Sequence, residues 1–306
     1  MEMGRLSFER DGRDWPNRDA SQFVHAAGLR WHVQVMGQGP CLLLLHGTGA
    51  STHSWRDMAP ILARDFTLVM PDLPGHGFTA PLEYARLSLP GIARAVAGLL
   101  KTLGFEPQAV AGHSAGAAIL ARMCIDRTIA PVGLVSLNGA FFPFEGLAGL
   151  LFPPMAKLMF LNPLTPRVLA WSADLTSVSR LIAGTGSRLD RFGLELYARL
   201  MANPAHIAGT LGMMANWDLD GLAKGMGRLK LPVRLIVGLA DRSVPPVSAG
   251  QLAATLNDAQ VEKMPGLGHL AHEEAPERAA PLITEFFMQH GLPTNPCDAT
   301  SPENCA

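Results

Sequence analysis

Gly112-His113-Ser114-Ala115-Gly116 lies between an apolar run at residues 108–111 and a second run that opens at Ala115 and continues to about residue 127. The first has the length and continuity of a buried strand, and the second repeats its apolar positions with helical spacing. A serine on a sharp turn from strand to helix stands exposed at the end of a sheet. Only small residues such as Gly112 and Gly116 let the chain turn so tightly. The stretch therefore predicts a layered α/β fold and, within it, a nucleophile, Ser114.

Outward from this turn, strand and helix signals alternate. Residues 23–26 and 29–35 flank Ala27-Gly28 and read as a hairpin, and 41–45 and 66–70 read as short buried strands. A helix is predicted over 88–103, with Ser88 as cap, Pro90 in the first turn and Gly104 at the end. Further strands are predicted at 132–137, 233–237 and 260–264, and helices at 247–256 and 275–290. The alternation implies a mostly parallel sheet with an antiparallel start and helices on both faces. It lapses over residues 139–228, which contain Met155, Met159, Met201, Met213, Met214 and Met226. That stretch reads as an inserted helical cap, or as a packing layer in which methionines fill irregular gaps. The expected organisation is an N-terminal segment (1–21), a core (22–139 and 229–291), a cap (140–228) and a disordered tail (292–306).

A serine hydroxyl is a weak nucleophile near neutral pH, so a base must take its proton and a carboxylate must orient the base. Asp241 follows the strand ending at Val237-Gly238, and His269 follows the strand ending at Met264, within Gly266-Leu267-Gly268-His269. Catalytic groups of open α/β sheets collect beyond the carboxyl ends of the strands, so Ser114, Asp241 and His269 can converge there. Their order along the chain fits as well. The two oxyanion donors are expected to be the backbone amides of Ala115 and of Thr48, the latter in His46-Gly47-Thr48-Gly49 after the strand 41–45. Read as a dinucleotide fingerprint, the same loop lacks a third glycine. Asn138 stands where an acid is sometimes found, but an amide supplies no negative charge. Asp218 and Asp220 read as capping or solvated residues, and Asp72 and His76 as stabilisers of the turn-rich loop 71–77. His113 either lines the substrate pocket or packs. His272 lies three residues after His269, but no third ligand accompanies the pair, so neither a metal nor a cofactor is expected.

Composition narrows the partners. The 306 residues carry 17 % charged side chains, 48 % hydrophobic ones and a net charge of −1, which excludes disorder and leaves no basic footprint for nucleic acid. The first twenty residues are charged and lack the apolar stretch of a secretory signal, so a cytoplasmic location is expected. Cys41, Cys124, Cys297 and Cys305 form no C-x-x-C pair, and no structural disulfide is expected. The apolar stretch 140–164 is interrupted by prolines and charges, which excludes a spanning helix but leaves peripheral membrane contact open.

Taken together, His46-Gly47-Thr48-Gly49, Asp72-Leu73-Pro74-Gly75-His76-Gly77, the turn at Ser114, Asp241-Arg242-Ser243-Val244-Pro245 and Gly268-His269 resemble the α/β-hydrolase family over residues 22–290. A serine nucleophile argues against its dehalogenase and epoxide hydrolase branches, whose alkyl-ester intermediates require a carboxylate. Asp14-Trp15-Pro16-Asn17, Trp31-His32-Val33-Gln34, residues 47–56 and Gly75-His76-Gly77-Phe78-Thr79 further resemble the magnesium-chelatase accessory proteins of bacteriochlorophyll biosynthesis. Two functions follow. One is hydrolysis of an ester or related acyl bond of an apolar small molecule. The other, implied by the resemblance, is non-catalytic binding of a tetrapyrrole or of chelatase subunits under an apolar, Met-rich cap.

Overall fold

A computed structural model describes residues 4–143, 155 and 157–293. Eight strands form one sheet: β1 (Ser21–Ala26), β2 (Leu29–Met36), β3 (Cys41–Leu45), β4 (Thr67–Pro71), β5 (Ala109–His113), β6 (Leu134–Leu137), β7 (Val233–Gly238) and β8 (Ala259–Met264). Their order across the sheet is β1-β2-β4-β3-β5-β6-β7-β8. The first three neighbours pair antiparallel and all later ones parallel, as the sequence predicts. The hairpin closes on Ala27 and Gly28, both at positive φ, the conformation whose twist matches that of the flanking strands.

The uninterrupted apolar run of β3 follows from its position inside the sheet. Side chains alternate across a strand, so Leu43 and Leu45 enter one core layer while Leu42 and Leu44 enter the other. The first layer packs under the helices Leu89–Leu103 and Ala115–Ile125, and the second under Ala59–Leu62 and Pro276–Gln289. Leu89–Leu103 buries Leu89, Ile92, Val96, Leu99 and Leu100, a helical stripe, and ends on Gly104 in the left-handed conformation. Ser88 sits at its start, but the hydroxyl makes no capping bond; Pro90 removes one of the amides it would accept from. The last predicted helix, 275–290, is observed as Pro276–Gln289; a short unpredicted helix, Ala271–Glu274, precedes it and is separated from it because helical angles are disfavoured for the residue before Pro276 and Ala275 adopts φ −144°.

Between β6 and β7 the described residues form the helices Thr165–Trp171, Leu175–Gly184, Arg191–Met201, Pro204–Ala215 and Asp220–Gly225. Val178, Ile182 and Tyr197 from this insertion bury against Ala50 and Leu270, and Leu196 and Leu200 bury against Trp15 and Phe78. Ala50, Phe78 and Leu270 follow β3, β4 and β8, so the helices lie over the carboxyl edge of the sheet. The N-terminal segment joins them: Trp15 is buried and donates to Thr52 Oγ1 at 3.0 Å, and Arg199 pairs with Asp14 at 2.6 Å. Parts of the expected cap (144–154, 156), and residues 294–306 of the expected tail with Cys297 and Cys305, lie outside the described residues. Leu292, expected in the tail, is buried in the second core layer.

Candidate active site

Five consecutive parallel strands deliver one loop each to the same edge: Gly47-Thr48 after β3, Ser114 after β5, Asn138 after β6, Asp241 after β7 and His269 after β8. Ser114 has φ 51° and ψ −115°, a strained conformation for a residue with a side chain. The glycines around it are required by crowding. A Cβ on Gly116 would lie 2.0 Å from the Leu45 carbonyl oxygen, and one on Gly112 would lie 2.5 Å from the Ala117 nitrogen. A Cβ on Gly47 would meet Ser114 Cβ at 3.1 Å, which places the Thr48 loop against the serine. Ala115 opens the following helix, where the first amides have no intrahelical partner.

Asp241 and His269 meet: His269 Nδ1 lies 2.7 Å from Asp241 Oδ2. The carboxylate is buried and fully satisfied. Its Oδ1 accepts from the amides of Ser243 at 2.7 Å and Val244 at 2.9 Å, and Asn138 Nδ2 donates to Oδ2 at 2.7 Å. These bonds leave the imidazole Nε2 as the free end. Among the described residues Ser114 Oγ makes no hydrogen bond, so the contact between serine and imidazole is left open; such bonds often tighten only with substrate. His113 is buried, its ring centroid 4.7 Å from that of His269, and its Nε2 donates to the His269 carbonyl oxygen at 2.9 Å. Its other nitrogen faces Gly47.

Neutral histidines brace this edge. His46 Nδ1 lies 2.8 Å from the Gly47 carbonyl, and its Nε2 accepts from the Leu73 amide at 2.9 Å. His206, from the inserted helix Pro204–Ala215, accepts from the Gly77 amide and reaches the Gly49 carbonyl, both at 3.1 Å. Burial pushes its pKa down to about 4, as an accepting nitrogen requires. Thr48 Oγ1 contacts Met213 Sδ of the same helix at 3.7 Å. Asp72 stabilises its loop by accepting from Thr52 and Phe78 amides and pairing with His32 at 2.8 Å.

A second buried polar group adjoins the site. Glu273 accepts from Ser54 Oγ and Tyr197 OH, each at 2.7 Å, and pairs with Arg56 at 2.5 Å. Burial pushes its carboxyl above the ordinary value while Arg56 opposes the shift. Ser54 gives its only proton to Glu273, so His272 Nε2, 2.9 Å away, must donate to Ser54. Burial lowers the His272 pKa to about 3, and its ring lies 4.4 Å from that of His113. Sequence reasoning missed Asn138 as a donor, His206 and the Glu273 group. Asn138 alone left a trace, an amide at a strand end. Among the described residues no cluster of three or more His, Cys, Asp or Glu is placed to hold a metal.

The sequence pattern of the alpha/beta hydrolase family matches residues 42–282. The chain belongs to that family. It is similar to the magnesium-chelatase 30 kDa subunit of Rhodobacter capsulatus, with 38 % identity over 277 residues, 90 % of this chain and 96 % of the relative. Among solved structures it is similar to an alpha/beta hydrolase fold protein from Burkholderia ambifaria, with TM-score 0.73, 24 % identity, and 87 % and 98 % of the two chains covered. The epoxide hydrolase CorEH gives TM-score 0.76 at 21 % identity, covering 88 % of this chain and 98 % of that one. These two likenesses bear on the fold alone.

Proposed function

We propose that this family member is a serine hydrolase that cleaves an ester or related acyl bond of an apolar substrate and serves the magnesium-porphyrin branch of bacteriochlorophyll synthesis. The observation that carries the reading is the Asp241–His269 hydrogen bond of 2.7 Å, its carboxylate held by three further donors beside the strained turn of Ser114. Ser114 Oγ attacks the acyl carbon while its proton passes to His269 Nε2. Asp241 fixes the tautomer and balances the imidazolium, and the Thr48 and Ala115 amides receive the oxyanion. Collapse of the intermediate expels the alcohol, which takes the proton from His269; water then releases the acid by the same route. His113 acts by positioning His269. The place in tetrapyrrole metabolism rests on similarity to the Rhodobacter capsulatus chelatase subunit.

The test is labelling with a fluorophosphonate probe, with and without protoporphyrin. Wild-type protein should label, Ser114→Ala should not, and hydrolysis by the mutant should fall at least ~10,000-fold while its melting temperature holds. Equal labelling or turnover in both proteins would overturn the assignment. The same similarity favours a second reading, a non-catalytic accessory protein that binds a tetrapyrrole or chelatase subunits. It is distinguished by an unlabelled wild type and by Ser114→Ala supporting bacteriochlorophyll formation in cells.

A further inference from the structure

Of the thirteen large hydrophobic side chains exposed among the described residues, eight fall in one short stretch: Met155, Leu158, Leu161, Leu164, Val168, Trp171, Leu175 and Leu181. Val168 and Trp171, three positions apart, share one side of the helix Thr165–Trp171, and Leu164 stands at its start. Pro166 and Ala170 occupy the opposite, buried side, where Ala170 packs on Ile207 and Leu211 of the helix Pro204–Ala215. An element apolar all round is ordinarily covered on every side. Here Trp171 is 90 % exposed and Leu158 71 %.

Charge identifies the cover. From residue 157 to 181 the cations are Lys157, Arg167 and Arg180, and the only acid is Asp174, in a chain whose net charge is −1. The Asp174 carboxylate is taken up in capping the helix Leu175–Gly184, where it accepts from the Ser177 amide at 2.7 Å. A second copy of this face would set these cations against their equals. A surface bearing negative headgroups over a hydrocarbon interior matches both the charges and the apolar side chains, and tryptophan favours that boundary. We propose that the outer face of residues 157–181 docks on a bilayer containing anionic lipid. It lies on the same insertion that supplies His206 and Met213 to the Thr48 loop, so docking would bring the covered edge of the sheet to the membrane surface.

Co-sedimentation with phosphatidylcholine vesicles, and with vesicles of three parts phosphatidylcholine to one part phosphatidylglycerol, tests this. Wild-type protein should pellet with the anionic vesicles and be released at high salt. Leu164→Asp combined with Trp171→Asp, both at exposed positions, should weaken binding at least about tenfold with an unchanged melting temperature. Brominated lipid should quench tryptophan emission in wild type, and Trp171→Phe should lose that quenching while still pelleting. Wild-type protein remaining in the supernatant would overturn the proposal. So would undiminished pelleting of the double variant, or a wild-type dimer that the double variant dissolves, which would make the face a contact between copies. Fluorophosphonate labelling reports separately on Ser114.

Discussion

Asn138 shows how one residue type can meet two demands. It sits at φ 48°, where asparagine is among the few side chains tolerated, and its amide both donates to Asp241 and accepts from the Gly238 amide at 3.4 Å. Asn138→Ala removes one of four bonds to the carboxylate and leaves the Asp241–His269 pair in place. The fluorophosphonate labelling rate should drop roughly tenfold, in line with about 1–3 kcal/mol for a lost bond to a charged group. Asn138→Asp should do more: a second carboxylate against the first replaces an attraction by a repulsion, so labelling should be slower still. An unchanged rate in both variants would remove Asn138 from the proposed arrangement. The sequence pointed to Ser114, Asp241 and His269 through the strands they follow. It could not show Asn138 as a donor, because its partner lies 103 positions away.

The turn from β5 into the helix Ala115–Ile125 is the element in which fold and chemistry are least separable. Its glycines face backbone, so crowding cannot be relieved by rotating a side chain. Gly116→Ala would drive a Cβ against the Leu45 carbonyl, in the strand that carries the Thr48 loop. We expect the melting temperature to fall by about 2–12 °C, since overpacking costs roughly 1–3 kcal/mol and each kcal/mol moves a large domain by about 2–4 °C. Calorimetry of the variant checks this, and an unshifted transition would mean that the two strands can part without cost. The insertion was harder to read. Apolar helices and methionines were visible in the sequence, but not that His206 would tie its helix to Gly49 and Gly77.

Across the whole molecule, a set of buried histidines couples stability to pH. His206 and His272 are pushed down from 6.5 to about 4 and about 3, and His53, His76 and His113 lie well below 6.5, in each case chiefly by burial. The folded protein keeps these rings neutral, whereas the unfolded chain takes up protons near 6.5. Their contribution is therefore complete above about pH 6.5 and is lost as pH falls toward 4; His206 alone accounts for about 3 kcal/mol. Asp72, which burial pushes up but the adjacent His32 holds well below the ordinary carboxylate value, adds to the loss at lower pH, while the raised Glu273 opposes it. Melting temperatures measured from pH 7.5 down to 4.5 should decline steadily below 6.5. A flat profile would show that the histidines are hydrated in solution.

Periodicity and punctuation in the chain determined the eight strands, their mixed direction, and the strand ends that carry Ser114, Asp241 and His269. Those features depend on local angles and on which side chains avoid water, both written in consecutive residues. Two things were decided only by the tertiary structure. One is the set of bonds made by Asn138, His113, His206 and Glu273, because a polar side chain takes whatever partner the packing brings within about 3 Å. The other is the outward apolar face around Trp171: an apolar repeat states that a surface will be covered, and only the packed molecule reveals which side is left for something else to cover.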